Sequence, residues 1–131
     1  MLGVGTDIIQ IGRIQAVIDR QGDRFAKRIL RPEELASYRA HLQPHRLLAK
    51  RFAVKEAVGK ALGTGIGQGV SWQDILITHN DIGAPAVELS GRALEVARNR
   101  GAEGVMISVS DEKEYVVAFA VLAAATKKKT M

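Results

Sequence analysis

Apolar and polar positions divide the 131-residue chain into two unlike halves. "LGVGTDIIQI", residues 2–11, is β-branched and apolar and predicts a strand, interrupted by Asp7. Ile14, Val17 and Ile18 then recur at helical spacing, predicting a helix from about Gly12 to Gln21, broken by "GD" at 22–23. "RFAKRIL" predicts a short basic helix. Pro32 at a first helical position, followed by Glu33 and Glu34, opens another that runs to about Leu42. Pro44 starts the longest helix, to about residue 62, with Leu47, Lys50, Val54, Ala57 and Ala61 along one face. Gly63, Gly65, Gly67 and Gly69 end it in a flexible loop.

The second half is strand-rich. "DILITH" predicts a strand, "NDIGAP" a turn and "AVELS" another strand. "GRALEVARNRG" predicts a helix, with Leu94 and Ala97 at helical spacing. "GVMISVS" and "EYVVAFAVLAA" flank "DEKE" and predict a hairpin. The last strand is apolar on both faces, as in a sheet covered on both sides or closing against another subunit. In so short a chain the subunit is the favoured reading. Residues 1–126 read as one domain and 127–131 as a disordered basic tail, without repeats or linkers.

Composition narrows the chemistry. The absence of cysteine excludes disulfides, thiolate catalysis and zinc–cysteine sites, and fits a reducing, cytoplasmic setting. The N-terminus has no basic start before its apolar run, so it does not read as a secretory signal. The longest apolar run, "YVVAFAVLAAA", falls short of the about 20 residues a membrane span needs. A net charge of +5 points to a polyanionic partner: nucleic acid, a phosphorylated small molecule or an acidic protein. Aromatic residues make up 5% of the chain, too few for a base-stacking platform, which leaves nucleic acid to charge alone.

Some residues carry candidate chemistry. Asp7 follows "GVGT", where small side chains let other groups approach the backbone. Such a carboxylate suits a hard cation that takes one or two carboxylates plus substrate phosphates, although by spacing alone a turn or cap is the commoner meaning. Glu56 and Lys60 are four apart in the favourable order for an ion pair. They share a stripe with Phe52 and Gly63, and a partly buried charge pair is costly unless something neutralises it. A cation on Glu56 and a phosphate on Lys60 would do so. "GTGIGQG" can cradle phosphates through its backbone N–H groups, but it follows a helix and is no Walker loop. Arg13, Arg20, Arg24, Lys27 and Arg28, with Phe25 among them, read either as a solvated face or as a docking patch for an acidic partner. His41, His45 and His79 lack metal spacing, and Ser108 and Ser110 have no histidine near them in sequence.

"GVGTDIIQIGRI" and "RFAVKEAVGKALGTGIG" together resemble the two signature motifs of the holo-[acyl-carrier-protein] synthase family, the small bacterial 4'-phosphopantetheinyl transferases. The resemblance runs the length of the chain, through "RFAKRIL", "IGAP" and the closing hairpin. It implies transfer of phosphopantetheine from coenzyme A to a serine of apo acyl carrier protein in support of fatty acid biosynthesis, with release of adenosine 3',5'-bisphosphate. It also implies an α+β fold, helices packed on a small, mostly antiparallel sheet, assembled as a homotrimer with active sites between subunits, and no nucleic-acid or membrane partner. By motif position, Asp7 and Glu56 match magnesium ligands and Lys60 the lysine near the coenzyme phosphates. Arg51, Lys55, Lys60, Gly63, Thr64 and Gly65 form the expected coenzyme A set; Arg13, Arg20, Arg24, Phe25 and Arg28 form the expected carrier surface. Met106 stands where members often have a histidine next to coenzyme A, so no role of that histidine is carried over.

The chemistry itself asks for little more. Phosphoryl transfer needs positioning and charge neutralisation, here from magnesium on Asp7 and Glu56 and from Lys60, with Arg51 or Lys55 as further cations. Glu56 is the favoured acceptor of the serine proton, Asp7 acting through water the alternative. The competing readings are a non-enzymatic basic domain that binds nucleic acid and a different phosphoryl or nucleotide enzyme.

Overall fold

A computed structural model describes residues 1–125; the expected tail at 127–131 lies outside the described residues. Strand β1 (Gly3–Gln10) runs straight into α1 (Ile11–Gln21). Gly22, in the left-handed region, turns the chain into α2 (Asp23–Ile29), and α3 (Pro32–Ala40) follows. The long helix α4 (Pro44–Leu62) opens on its proline and closes on Gly63 in the left-handed conformation, as its punctuation predicts. The hairpin β2 (Ile75–His79) and β3 (Pro85–Leu89), helix α5 (Gly91–Asn99), β4 (Ala102–Asp111) and β5 (Tyr115–Ala124) complete the order.

Two departures from the sequence pattern stand out. Asp74 does not start β2: Trp72–Asp74 form a 3-10 turn, held by a Ser71 hydroxyl that accepts from the Gln73 N–H at 3.0 Å. β4 begins at Ala102, before the predicted start, with a register irregularity at Ala102/Gly104. The turn is held by a local cap between Ser71 and Asp74, which apolar periodicity does not register, and the irregularity in β4 arises in its pairing with β5.

The main sheet has the antiparallel order β1-β5-β4, and β2-β3 form a separate ribbon. Val116, Ala118, Ala120 and Leu122 of β5 face inward and are fully buried. Against them lies α4, which also touches β1, β4, α1, α2, α3 and α5. It is therefore buried almost all round rather than along the single predicted face: Leu48, Ala49, Ala53, Val58 and Leu62 are as covered as Val54. Its many alanines allow this close packing. So do Gly3 and Gly5 of β1, where a Cβ would collide with the Ala61 and Ala57 carbonyl oxygens.

The outer face of the same sheet is a different surface. Thr6 pairs with Phe119 and Phe119 with Ser108; Val4, Val121 and Met106 form the next row. Ile8 is 67% exposed and Met106 64%, with Val4, Tyr115 and Phe119 also open. β5 is thus apolar on both faces but buried on only one within the protomer. An apolar patch of this kind marks an interaction surface.

Candidate active site

Close packing of α4 on β1 brings together two residues far apart in sequence. Lys60 Nζ donates to Asp7 Oδ1 at 3.1 Å and to the Thr6 carbonyl at 2.9 Å. The favourable i,i+4 arrangement with Glu56 is not the ion pair that forms; Lys60 takes Asp7 as its partner. Asp7 lies on the inward side of β1 beside Gly5, which lets the lysine side reach it.

Glu56, one helical turn earlier, shares a cavity of about 690 Å³ with Asp7. Burial, then the charge of Asp7, raises the Glu56 pKa; the Trp72 indole and Lys60 oppose the rise. The Trp72 N–H faces this carboxylate yet is buried without a partner in hydrogen-bonding geometry. A carboxylate whose ionisation is made costlier by burial and by a second carboxylate, beside an unsatisfied donor, forms a site suited to a cation and its anionic ligand. No group of three metal-ligating side chains exists among the described residues. The donor set therefore fits magnesium, which completes its shell with water and substrate phosphates.

The walls of the cavity come from α1, α2 and the 3-10 turn. Arg13, Arg20, Phe25 and Arg28, four of the five residues expected to dock a carrier, line it, together with Phe52 and Trp72. Arg24 is exposed on the same short helix, outside the lining. Phe25, Phe52 and Trp72 form a row with ring centroids 6.1 and 6.3 Å apart, and Arg28 lies 5.9 Å over the Trp72 ring. Trp72 escaped the sequence reading because a single aromatic after a glycine run carries no periodic signal.

The expected coenzyme set separates into four places. Lys60 is paired with Asp7. Gly63, Thr64 and Gly65 fold back over α4, where the Gly65 N–H donates to the Gly59 carbonyl at 2.9 Å. Arg51 is nine residues before Lys60, roughly two and a half turns, so it projects from the opposite side of the helix. It lines a second cavity of about 450 Å³ with His41, Lys50, His79 and Pro85, and donates to the Ile77 carbonyl at 3.4 Å.

Lys55 requires a correction. Its ammonium is fully buried, donating to Glu34 Oε1 and to the Ile29 carbonyl, both at 2.7 Å. No coenzyme phosphate can reach it. Burial lowers its pKa and the adjacent Glu34 opposes that fall. In the sequence, Lys55 looks like any other lysine beside Glu56; only the neighbouring helices reveal that it points inward.

With this geometry in view, comparison with known proteins is informative. Residues 3–120 match the 4'-phosphopantetheinyl transferase superfamily. The chain is 48% identical over 121 residues to holo-[acyl-carrier-protein] synthase of Hydrogenovibrio crunogenus, covering 92% of this chain and 95% of that one. It superposes on the holo-[acyl-carrier-protein] synthase of Neisseria meningitidis with a TM-score of 0.87 at 41% identity, covering 93% of this chain and 98% of that one. The Helicobacter pylori holo-[acyl-carrier-protein] synthase, solved in complex with coenzyme A, gives a TM-score of 0.79 at 30% identity, covering 92% of this chain and 99% of that one. The family match and near-complete coverage in both directions lead to one conclusion: the chain belongs to the holo-[acyl-carrier-protein] synthase family.

Proposed function

We propose that this chain moves the 4'-phosphopantetheine group from coenzyme A to a serine of an acidic apo acyl carrier protein. The reaction is magnesium-dependent, takes place in the cytoplasm, supports fatty acid biosynthesis and releases adenosine 3',5'-bisphosphate. The observation that carries this reading is the Asp7–Lys60 contact beside Glu56, in a cavity walled by arginines and aromatic residues. The coenzyme A held by the Helicobacter pylori relative supports the choice of donor.

Asp7 and Glu56 would hold magnesium, which supplies charge neutralisation on the diphosphate. Lys60 faces the departing phosphate and offsets its growing charge. The Glu56 carboxylate accepts the serine hydroxyl proton. The serine oxygen bonds to the β-phosphorus as the bond to the nucleotide's bridging oxygen breaks, and the nucleotide leaves with those electrons. Arg13, Arg20, Arg24 and Arg28 attract the acidic carrier, while Phe25 gives it an apolar anchor.

The chain acts as a homotrimer, its subunits meeting through the apolar outer sheet face. Arg51 and Lys60 lie on opposite sides of α4, so a coenzyme that lies between two protomers could meet Arg51 of one and Lys60 of the other. This supports active sites between subunits. No helix among the described residues is long and apolar enough to cross a membrane. The deciding experiment incubates the protein with coenzyme A and apo carrier, with and without magnesium, and weighs the carrier by mass spectrometry. A gain of one phosphopantetheine group, only with magnesium, is expected; an unchanged carrier under both conditions refutes the reading. Retention of duplex DNA that survives high salt would favour the nucleic-acid alternative.

A further inference from the structure

Helix α2 carries Arg24, Phe25 and Arg28 but has only seven residues, too few to hold itself together or fix its own direction. Its trailing carbonyls have no partners within the helix, as at any helix end. All four, from Lys27 to Leu30, are taken by two side chains from elsewhere. Gln73 Nε2 donates to the carbonyls of Lys27 at 2.9 Å, Arg28 at 3.2 Å and Leu30 at 2.8 Å. An amide has two hydrogens, so at least one is shared. Lys55 Nζ donates to the Ile29 carbonyl at 2.7 Å, placing a positive charge at the negative end of the helix.

Each of these donors is the chain neighbour of a cavity residue. Gln73 follows Trp72, and Lys55 precedes Glu56. Lys55 is further fixed by Glu34, whose same oxygen accepts the Arg31 N–H at 2.9 Å at the start of α3. The end of α2 is thus attached to the helix bearing Glu56 on one side and to the turn bearing Trp72 on the other.

We propose that Gln73 and Lys55 are positioning residues that hold the carrier-docking face of α2 at a fixed distance and angle from Glu56. This inference rests on the transfer reading above. A carrier seated on Arg24, Phe25 and Arg28 then presents its serine where those two side chains put it. Neither residue touches carrier or coenzyme.

Gln73→Met tests this, because it keeps length, adds no charge and removes the amide whose N–H groups hold the carbonyls. Gln73 is half-buried on a turn, so the fold tolerates the change. Titration calorimetry would follow apo carrier and coenzyme A separately, and amide exchange would follow residues 24–29. Carrier affinity should fall about fivefold to tenfold, with coenzyme affinity unchanged and exchange in α2 faster. Lys55→Met threatens folding, so the inference does not depend on it. Equal losses for carrier and coenzyme would indicate general loosening and overturn the inference, as would no loss for either. A wild-type chain that binds no carrier removes the docking reading and this inference together; normal wild-type docking with an unaltered variant removes this inference alone.

Discussion

Lys60 Nζ lies 3.1 Å from Asp7 Oδ1, an ion pair across 53 positions of chain that joins the end of α4 to the middle of β1. The pair neutralises the aspartate while Glu56 remains without an ion-pair partner among the described residues. A cation between the two carboxylates would release the lysine toward phosphate. Asp7→Ala and Glu56→Ala should each lower magnesium-dependent transfer by about a hundredfold or more while circular dichroism stays native. Turnover close to wild type in either variant would end the metal assignment.

Glu56 also makes a stability prediction. Its folded pKa is raised, so its contribution to stability is complete below the unfolded value and is lost as pH rises through the folded one. Without magnesium, ionised Glu56 is therefore a cost at neutral pH. Glu56→Gln should melt higher than wild type at pH 7, by less than about 1 kcal/mol because water still reaches the group. The difference should vanish in acid, once the wild-type carboxyl is protonated. Thermal melts across pH check the sign, and a lower melting point at pH 7 contradicts it.

The Lys55–Glu34 pair is buried on both sides. Lys55→Met leaves Glu34 unpaired in the core and should cost about 3–5 kcal/mol. Removing Glu34 as well, as Glu34→Leu in the same chain, should recover much of that loss. Urea denaturation of the single and double variants measures both, and equal instability would argue against a charge-pair origin.

The arginine wall predicts a split in kinetics. Arg13→Glu or Arg24→Glu should raise KM for the carrier far more than KM for coenzyme A. The wild-type carrier KM should rise with salt, since exposed charges are screened over about 8–10 Å at ordinary ionic strength. Equal changes in both KM values would remove the docking patch.

Phe119 sits in the middle of the apolar outer face, between Thr6 and Ser108. Phe119→Glu should yield monomers by light scattering and lose transfer with them, although Phe119 lies on the opposite sheet face from Asp7. Retained trimers, or fully active monomers, would separate the assembly from the chemistry.

Periodicity, punctuation and motif were enough for much of this molecule. Gly63 and Pro44 delimit α4 because both act through their own backbone, and the β4–β5 hairpin follows from apolar runs around a polar turn. Asp7, Glu56 and Lys60 are candidates through the motifs they sit in rather than through their spacing, and folding brings Asp7 to Lys60 and into one cavity with Glu56. What each lysine of the motif faces was decided only by packing. Lys55 and Lys60 have similar local surroundings, yet one is enclosed by α2 and α3 and the other meets β1. Arg51 joins another cavity because it leaves the far side of the same helix. Trp72 meets Arg28 and Gln73 meets the end of α2 through contacts that no local pattern encodes. Backbone preferences are local and can be read along the chain; burial and charge pairing depend on residues that only folding makes neighbours.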